Sequence, residues 1–149
     1  MLFDLGDTLV HMHSEETFQK ILEGHGVVKP LDEVKQAMIK GGKEFDIDKH
    51  CNLPAHEFYT QWNIFELKHL GITDKTKARK LAEDVDYQWF EFAKIRVYPE
   101  VKKTLQKLKQ MGLKLGIVTG GYEEDVEKVL PKAGLEEFFH VYVCLLYTS

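Results

Sequence analysis

Residues 1–10 read MLFDLGDTLV, an apolar run that stops at an aspartate. Leu2 and Phe3 have the character of the end of a buried strand, and Gly6 and Asp7 that of a sharp turn, which leaves Asp4 at the junction. A carboxylate there is poor for packing but well placed for chemistry, because a buried strand end holds its side chain rigidly over a loop-lined cleft. A plain turn accounts for the same letters, so the weight of Asp4 depends on what the rest of the chain supplies.

Residues 14–93 are helical in pattern throughout. Ser14 is suited to cap a first helix with Glu15 and Glu16 in its opening turn and Phe18, Ile21 and Leu22 on one face. A second helix is expected from about Asp32, with Val34, Ala37 and Met38 inward and a break at Gly41-Gly42. Pro54 suits the first turn of a third, where Phe58, Trp62 and Phe65 recur at helical spacing. Asp74 caps a fourth, whose Ala78, Leu81, Val85, Trp89 and Phe92 hold one stripe. Four amphipathic helices joined by short loops make a small bundle.

After Tyr98-Pro99 the grammar changes. A helix carrying Val101, Leu105 and Leu108 ends at Met111-Gly112, and Leu113 to Val118 then reads as a buried strand. Thr119-Gly120-Gly121 follows, then a helix from near Tyr122 that Pro131 and Gly134 terminate, then a strand over residues 138–143. Strand, helix, strand with short links is the pattern of a parallel sheet. The fold class is therefore α/β, with the four-helix block inserted after the first strand.

Composition agrees and excludes some partners. The 149 residues are 44% hydrophobic and 30% charged with net charge −4, which gives no electrostatic reason to expect nucleic acid or an acidic membrane surface. No apolar run has membrane length, and no signal-peptide pattern is present. Cys51 and Cys144 lie in no metal-ligand or disulfide spacing, so a reducing, cytoplasmic setting is the default. The closing hexapeptide CLLYTS, residues 144–149, resembles one reading frame of a transposon-end sequencing adapter. It is expected to be a non-native tail, with natural sequence ending near Val143.

FDLGDTL (Phe3 to Leu9), GIVTGG (Gly116 to Gly121), the run VYPEVKKTLQKLKQMGLKLGIVTGG (Val97 to Gly121) and GLEEFF (Gly134 to Phe139) together resemble the haloacid dehalogenase-like hydrolase superfamily. The likeness implies a Rossmann-like core from residues 1–13 and 94–143, incomplete in this chain, with residues 14–93 as an α-helical cap. It implies Asp4 as the nucleophile on a phosphoryl group, giving an aspartyl-phosphate that water cleaves. Mg²⁺ would bridge Asp4 and the phosphate, with the Gly6 backbone carbonyl as a second protein ligand. Thr119 would donate its hydroxyl to a phosphoryl oxygen, assisted by backbone N–H groups around Gly120. Thr119 also suits a helix N-cap. The activity implied is a Mg²⁺-dependent phosphatase for a small phosphorylated metabolite.

One departure bears on the substrate. Family phosphatases carry an acid two residues after the nucleophile, where this chain has Gly6, and the carboxylate has moved to Asp7. Asp7 could substitute through the flexibility of Gly6. The leaving group could instead be halide, as in the 2-haloacid dehalogenase branch, or the protein could be a binding module without turnover. A receiver-like phosphoacceptor is a further alternative that the helical insertion argues against. His11 and His13 read as loop residues, with no third metal partner evident. The lysine and the acidic pair that complete the family's site lie past the last residue given, so the chain by itself is expected to be poorly stable and inactive.

Overall fold

The computed structural model describes residues 1–146 and divides them into two compact units, Met1–Met12 with Ile95 onward, and His13–Lys94. Residues 147–149 of the expected tail lie outside the described residues.

The first unit is built on a parallel sheet. Strands β1 (Leu2–Phe3), β4 (Gly116–Thr119) and β5 (Val141–Cys144) lie in the order β1-β4-β5, with Leu2 opposite Gly116, Phe3 opposite Ile117 and Thr119 opposite Cys144. Helix α7 (Glu123–Ala133) makes the crossover between β4 and β5, which is the expected strand-helix-strand unit. Helix α6 (Val101–Gln110) precedes β4 and buries Leu105. The core gathers Leu115, Ile117, Tyr122, Val126, Leu130 and Leu135, all at most 2% exposed.

Several expectations need correction here. Leu2 is 58% exposed rather than buried, in a β1 that lies at the edge of the described sheet. Phe138 belongs to a 3₁₀ turn, Glu136–Phe138, and β5 runs on through a buried Cys144. Pro131 sits inside the last turn of α7, and Gly134 alone ends it, in the left-handed conformation (φ 67°). A two-stranded antiparallel ribbon was not legible at all: β2 (Val10–His11) pairs with β3 (Arg96–Val97), so His11 is a strand residue rather than a loop one. Two-residue strands 85 positions apart leave no periodicity to read.

The second unit holds α1 (Ser14–Gly24), α2 (Leu31–Glu44), the short α3 (Ile47–His50), α4 (Ala55–Lys68) and α5 (Lys75–Phe92). Its core joins Phe18, Ile21, Leu22, Val34, Ala37, Leu67, Leu70, Leu81, Ala82 and Val85. Asp74 caps α5 as expected, accepting the Lys77 N–H at 2.8 Å. Ser14 does not cap α1. It is already helical, and His13 precedes it with φ 47°. Nor does Gly41-Gly42 break α2, because a Cβ at Gly41 would lie 2.7 Å from the Glu66 backbone. The glycine is what lets α2 and α4 approach.

Candidate active site

Because β1 and β4 are parallel, their carboxyl ends lie on one edge of the sheet. Asp4 directly follows Phe3, the last residue of β1, and Thr119 ends β4 two residues beyond the partner of Phe3. The register thus brings the two expected residues to the same edge on neighbouring strands, which pack about 4.8 Å apart. Ligands of open α/β sheets bind at this edge.

The loop after β1 is a tight helical turn. The Leu5 carbonyl accepts both the Leu9 N–H (3.0 Å) and the Val10 N–H (3.2 Å), and the Asp7 N–H donates to the Val10 carbonyl (2.8 Å). Buried Leu5, Leu9 and Val10 anchor it. These bonds run to the carbonyls of Leu5 and Val10 rather than that of Gly6. Asp4 is exposed, and its Oδ2 accepts a hydrogen bond from the Thr8 hydroxyl at 3.2 Å. Asp7 takes the left-handed conformation with φ 56°, while Gly6 does not. The Asp7 carboxylate is engaged by Nδ1 of His11 at 3.2 Å, so in this loop the two aspartates have separate partners. The His11 ring lies 6.4 Å from that of Tyr98.

At the end of β4, Thr119 Oγ1 accepts the Gly121 N–H at 3.4 Å, a local turn bond rather than a helix cap. The cap of α7 is supplied by Asp125, which accepts the Tyr122 N–H at 3.1 Å. Gly120 is exposed, and a Cβ there would meet nothing within 4 Å. Neither Thr8, quoted within FDLGDTL, nor His11, read as a loop residue, was given a partner from the letters alone. Their signal was a pair of i, i+4 spacings, Asp4 to Thr8 and Asp7 to His11, inside one turn.

The donors on this edge suit a hard cation. Among the described residues no three His, Cys, Asp or Glu side chains gather to hold a metal. Mg²⁺ asks for less, since it keeps several waters and binds through one or two carboxylates plus substrate phosphate. The exposed Asp4 carboxylate and the Gly6 carbonyl, which the loop's bonds bypass, fit that requirement as oxygen donors.

Fold and edge define the class: a Rossmann-like α/β protein with a helical block spliced in after the first strand, setting an acid and a hydroxyl at the ends of adjacent parallel strands. Residues 1–148 match the haloacid dehalogenase-like hydrolase family, and the chain belongs to it. It is 30% identical over 112 residues to a glyceraldehyde 3-phosphate phosphatase of Methanopyrus kandleri, covering 70% of this chain and 48% of that protein. A protein of the same name from Methanocaldococcus jannaschii is 28% identical over 145 residues, covering 93% of this chain and 58% of that one. The chain thus spans about half the length of these curated relatives. Among solved structures, the HAD-hydrolase YfnB from Bacillus subtilis bound to magnesium aligns with TM-score 0.66 at 19% identity, over 96% of this chain and 63% of that chain, a likeness of fold. Among the described residues no helix is long and apolar enough to cross a membrane.

Proposed function

We propose that this chain carries the nucleophile and the phosphate-binding loop of a Mg²⁺-dependent phosphatase acting on a small phosphorylated metabolite. The observation that carries the reading is the parallel register that sets Asp4 and Thr119 on one carboxyl edge. A carboxylate oxygen of Asp4 attacks phosphorus and displaces the ester oxygen, and water then attacks the phosphorus of the aspartyl-phosphate to regenerate Asp4. Thr119 donates its hydroxyl to a phosphoryl oxygen, and the backbone N–H of Gly120 is a further donor to the same group. The Asp4 carboxylate and the Gly6 carbonyl would hold Mg²⁺, which when bound offsets the repulsion between carboxylate and phosphate. In this reading residues 14–93 are the α-helical cap domain, and residues 1–13 and 94–143 belong to the α/β core. The names of the curated relatives make three-carbon aldehyde phosphates the first substrates to try. Two free cysteines, Cys51 and Cys144, suit a reducing, cytoplasmic setting.

One observation favours a second reading. Position 6 has no carboxyl group, and displacement of halide from carbon by Asp4 needs no proton. A substrate panel tests both on the whole protein that carries these residues. Release of phosphate from glyceraldehyde 3-phosphate or related esters, lost on chelation with EDTA, is the expected result. Halide release from 2-haloacids without phosphate release would replace the first reading by the second.

A further inference from the structure

The last turn of α2 is fastened to α4 at two neighbouring points. At Gly41 the helices touch, since a Cβ there would lie 2.7 Å from the Glu66 Cα and 2.8 Å from its Cγ. One turn on, the buried ring of Phe45 lies 5.2 Å from that of Phe58, 4.9 Å from Trp62 and 5.6 Å from Phe65, all on α4. The Phe45 N–H closes the helix on the Gly41 carbonyl at 2.9 Å. The carboxyl group of Glu66 is buried at this seam, and its Oε1 accepts the indole N–H of Trp62, the ring that Phe45 also meets. Among the described residues Glu66 forms no ion pair. The charged groups around it are engaged with one another instead. Glu44 of α2 lies 3.1 Å from His69 Nε2 and 3.5 Å from Lys68 Nζ. Arg79 of α5 binds Glu57 and Glu83, and Asp86 of α5 binds His56. Lys40 and Lys43 of α2 are exposed, and the His50 ring of α3 stacks on Phe45 at 4.3 Å.

An ionised carboxylate needs water or a cation, and the closed seam offers Glu66 a single neutral donor. Burial accordingly pushes its carboxyl up to about 8. We propose that Glu66 is a proton-operated latch within the helical unit: the neutral acid clamps the last turn of α2 onto α4, and ionisation releases that turn and Phe45 while the other helices stay packed. The release is local because Gly41, Phe45 and Glu66 lie outside the core that joins Phe18, Leu22, Val34, Leu67 and Val85. Between the usual carboxylate range and about pH 8 the closed turn holds one more proton than the open one. Opening therefore becomes about tenfold more favourable per pH unit across that window and levels off above it. The Glu44–His69 contact weakens in the same direction once the imidazole loses its proton, so the two groups are distinguished by separate substitutions.

The test is backbone amide hydrogen exchange in the whole protein that carries these residues, followed from about pH 6 to about pH 8. Exchange catalysed by hydroxide rises about tenfold per pH unit, and loss of the Glu66 proton on opening adds about tenfold more. The amides from Gly42 to Phe45 are expected to speed up about 100-fold per pH unit, and to be less protected throughout than those of Phe18, Ile21 and Leu22 in α1. Glu66→Gln is expected to return the rise to about tenfold, and His69→Gln to leave it at about 100-fold. A rise of only about tenfold in the parent overturns the proposal, as does a rise that persists in Glu66→Gln or vanishes in His69→Gln. Equal protection of the last turn of α2 and of the α1 amides also overturns it, because the unit would then be opening as a whole. Should Glu66→Gln fail to fold, the parent and His69→Gln profiles decide by themselves.

Discussion

At Gly116 the sheet has no room for a side chain. A Cβ there would lie 2.7 Å from Val141 Cγ1, 2.9 Å from Leu2 Cδ2 and 3.1 Å from the Val141 carbonyl oxygen, contacts that reach into both neighbouring strands. Gly116→Ala is therefore expected to destabilise the first unit by about 1–3 kcal/mol, read as a lower urea midpoint. At the other end of β4, Thr119→Val removes one hydroxyl from a half-buried turn. Turnover of a phosphate ester should fall about 10²-fold through kcat, with stability changed by less than about 1 kcal/mol. Asp4 and Thr119 were open to a reading of the letters, because an apolar run ends in a polar residue at each. The partners Thr8 and His11 were not. Their contacts pass through a turn whose left-handed residue is an aspartate beside a glycine, and letter order alone points to the wrong one.

Helices α2 and α4 cross where Gly41 meets the backbone of Glu66, and this crossing buries an acid. Glu66 is 5% exposed, its Oε1 accepts the Trp62 indole N–H at 2.8 Å, and burial pushes its carboxyl up to about 8. The folded unit thus prefers the protonated form, whereas the unfolded chain ionises in the usual carboxylate range. Stability contributed by the neutral acid is complete below that range, falls by up to roughly 1.4 kcal/mol per pH unit as pH rises toward about 8, and levels off beyond. Urea melts between pH 5 and pH 9 should show this slope, and Glu66→Gln should flatten it. The ion pair of Glu57 with Arg79 (2.8 and 2.7 Å) acts in the opposite direction. The Arg79 guanidinium holds the Glu57 carboxyl below its usual range, so its share is lost only as the solution is acidified. The helices themselves were legible from apolar stripes. Their closest approach was not, because a glycine pair inside a helix looks like a stop until the opposing backbone is seen.

On the scale of the whole molecule, residues from both sides of a helical insertion complete one α/β unit, and the insertion has a core of its own. The polypeptide 13–94 is accordingly expected to fold alone, giving helical circular dichroism and a single cooperative thermal transition. A gradual, featureless melt would show that it depends on the rest of the chain. Fold and family were legible because strand-helix-strand grammar and two short motifs recur at fixed places. The substrate was not, since Gly6 and Asp7 leave the proton donor unstated. The proposed function stands on Asp4 forming the covalent intermediate. Its most direct test is the turnover of a phosphate ester by Asp4→Asn in the whole protein, with folding verified by circular dichroism. The prediction is a loss of about 10⁴-fold or more in kcat with the melting temperature retained. Turnover within about tenfold of the parent would contradict it.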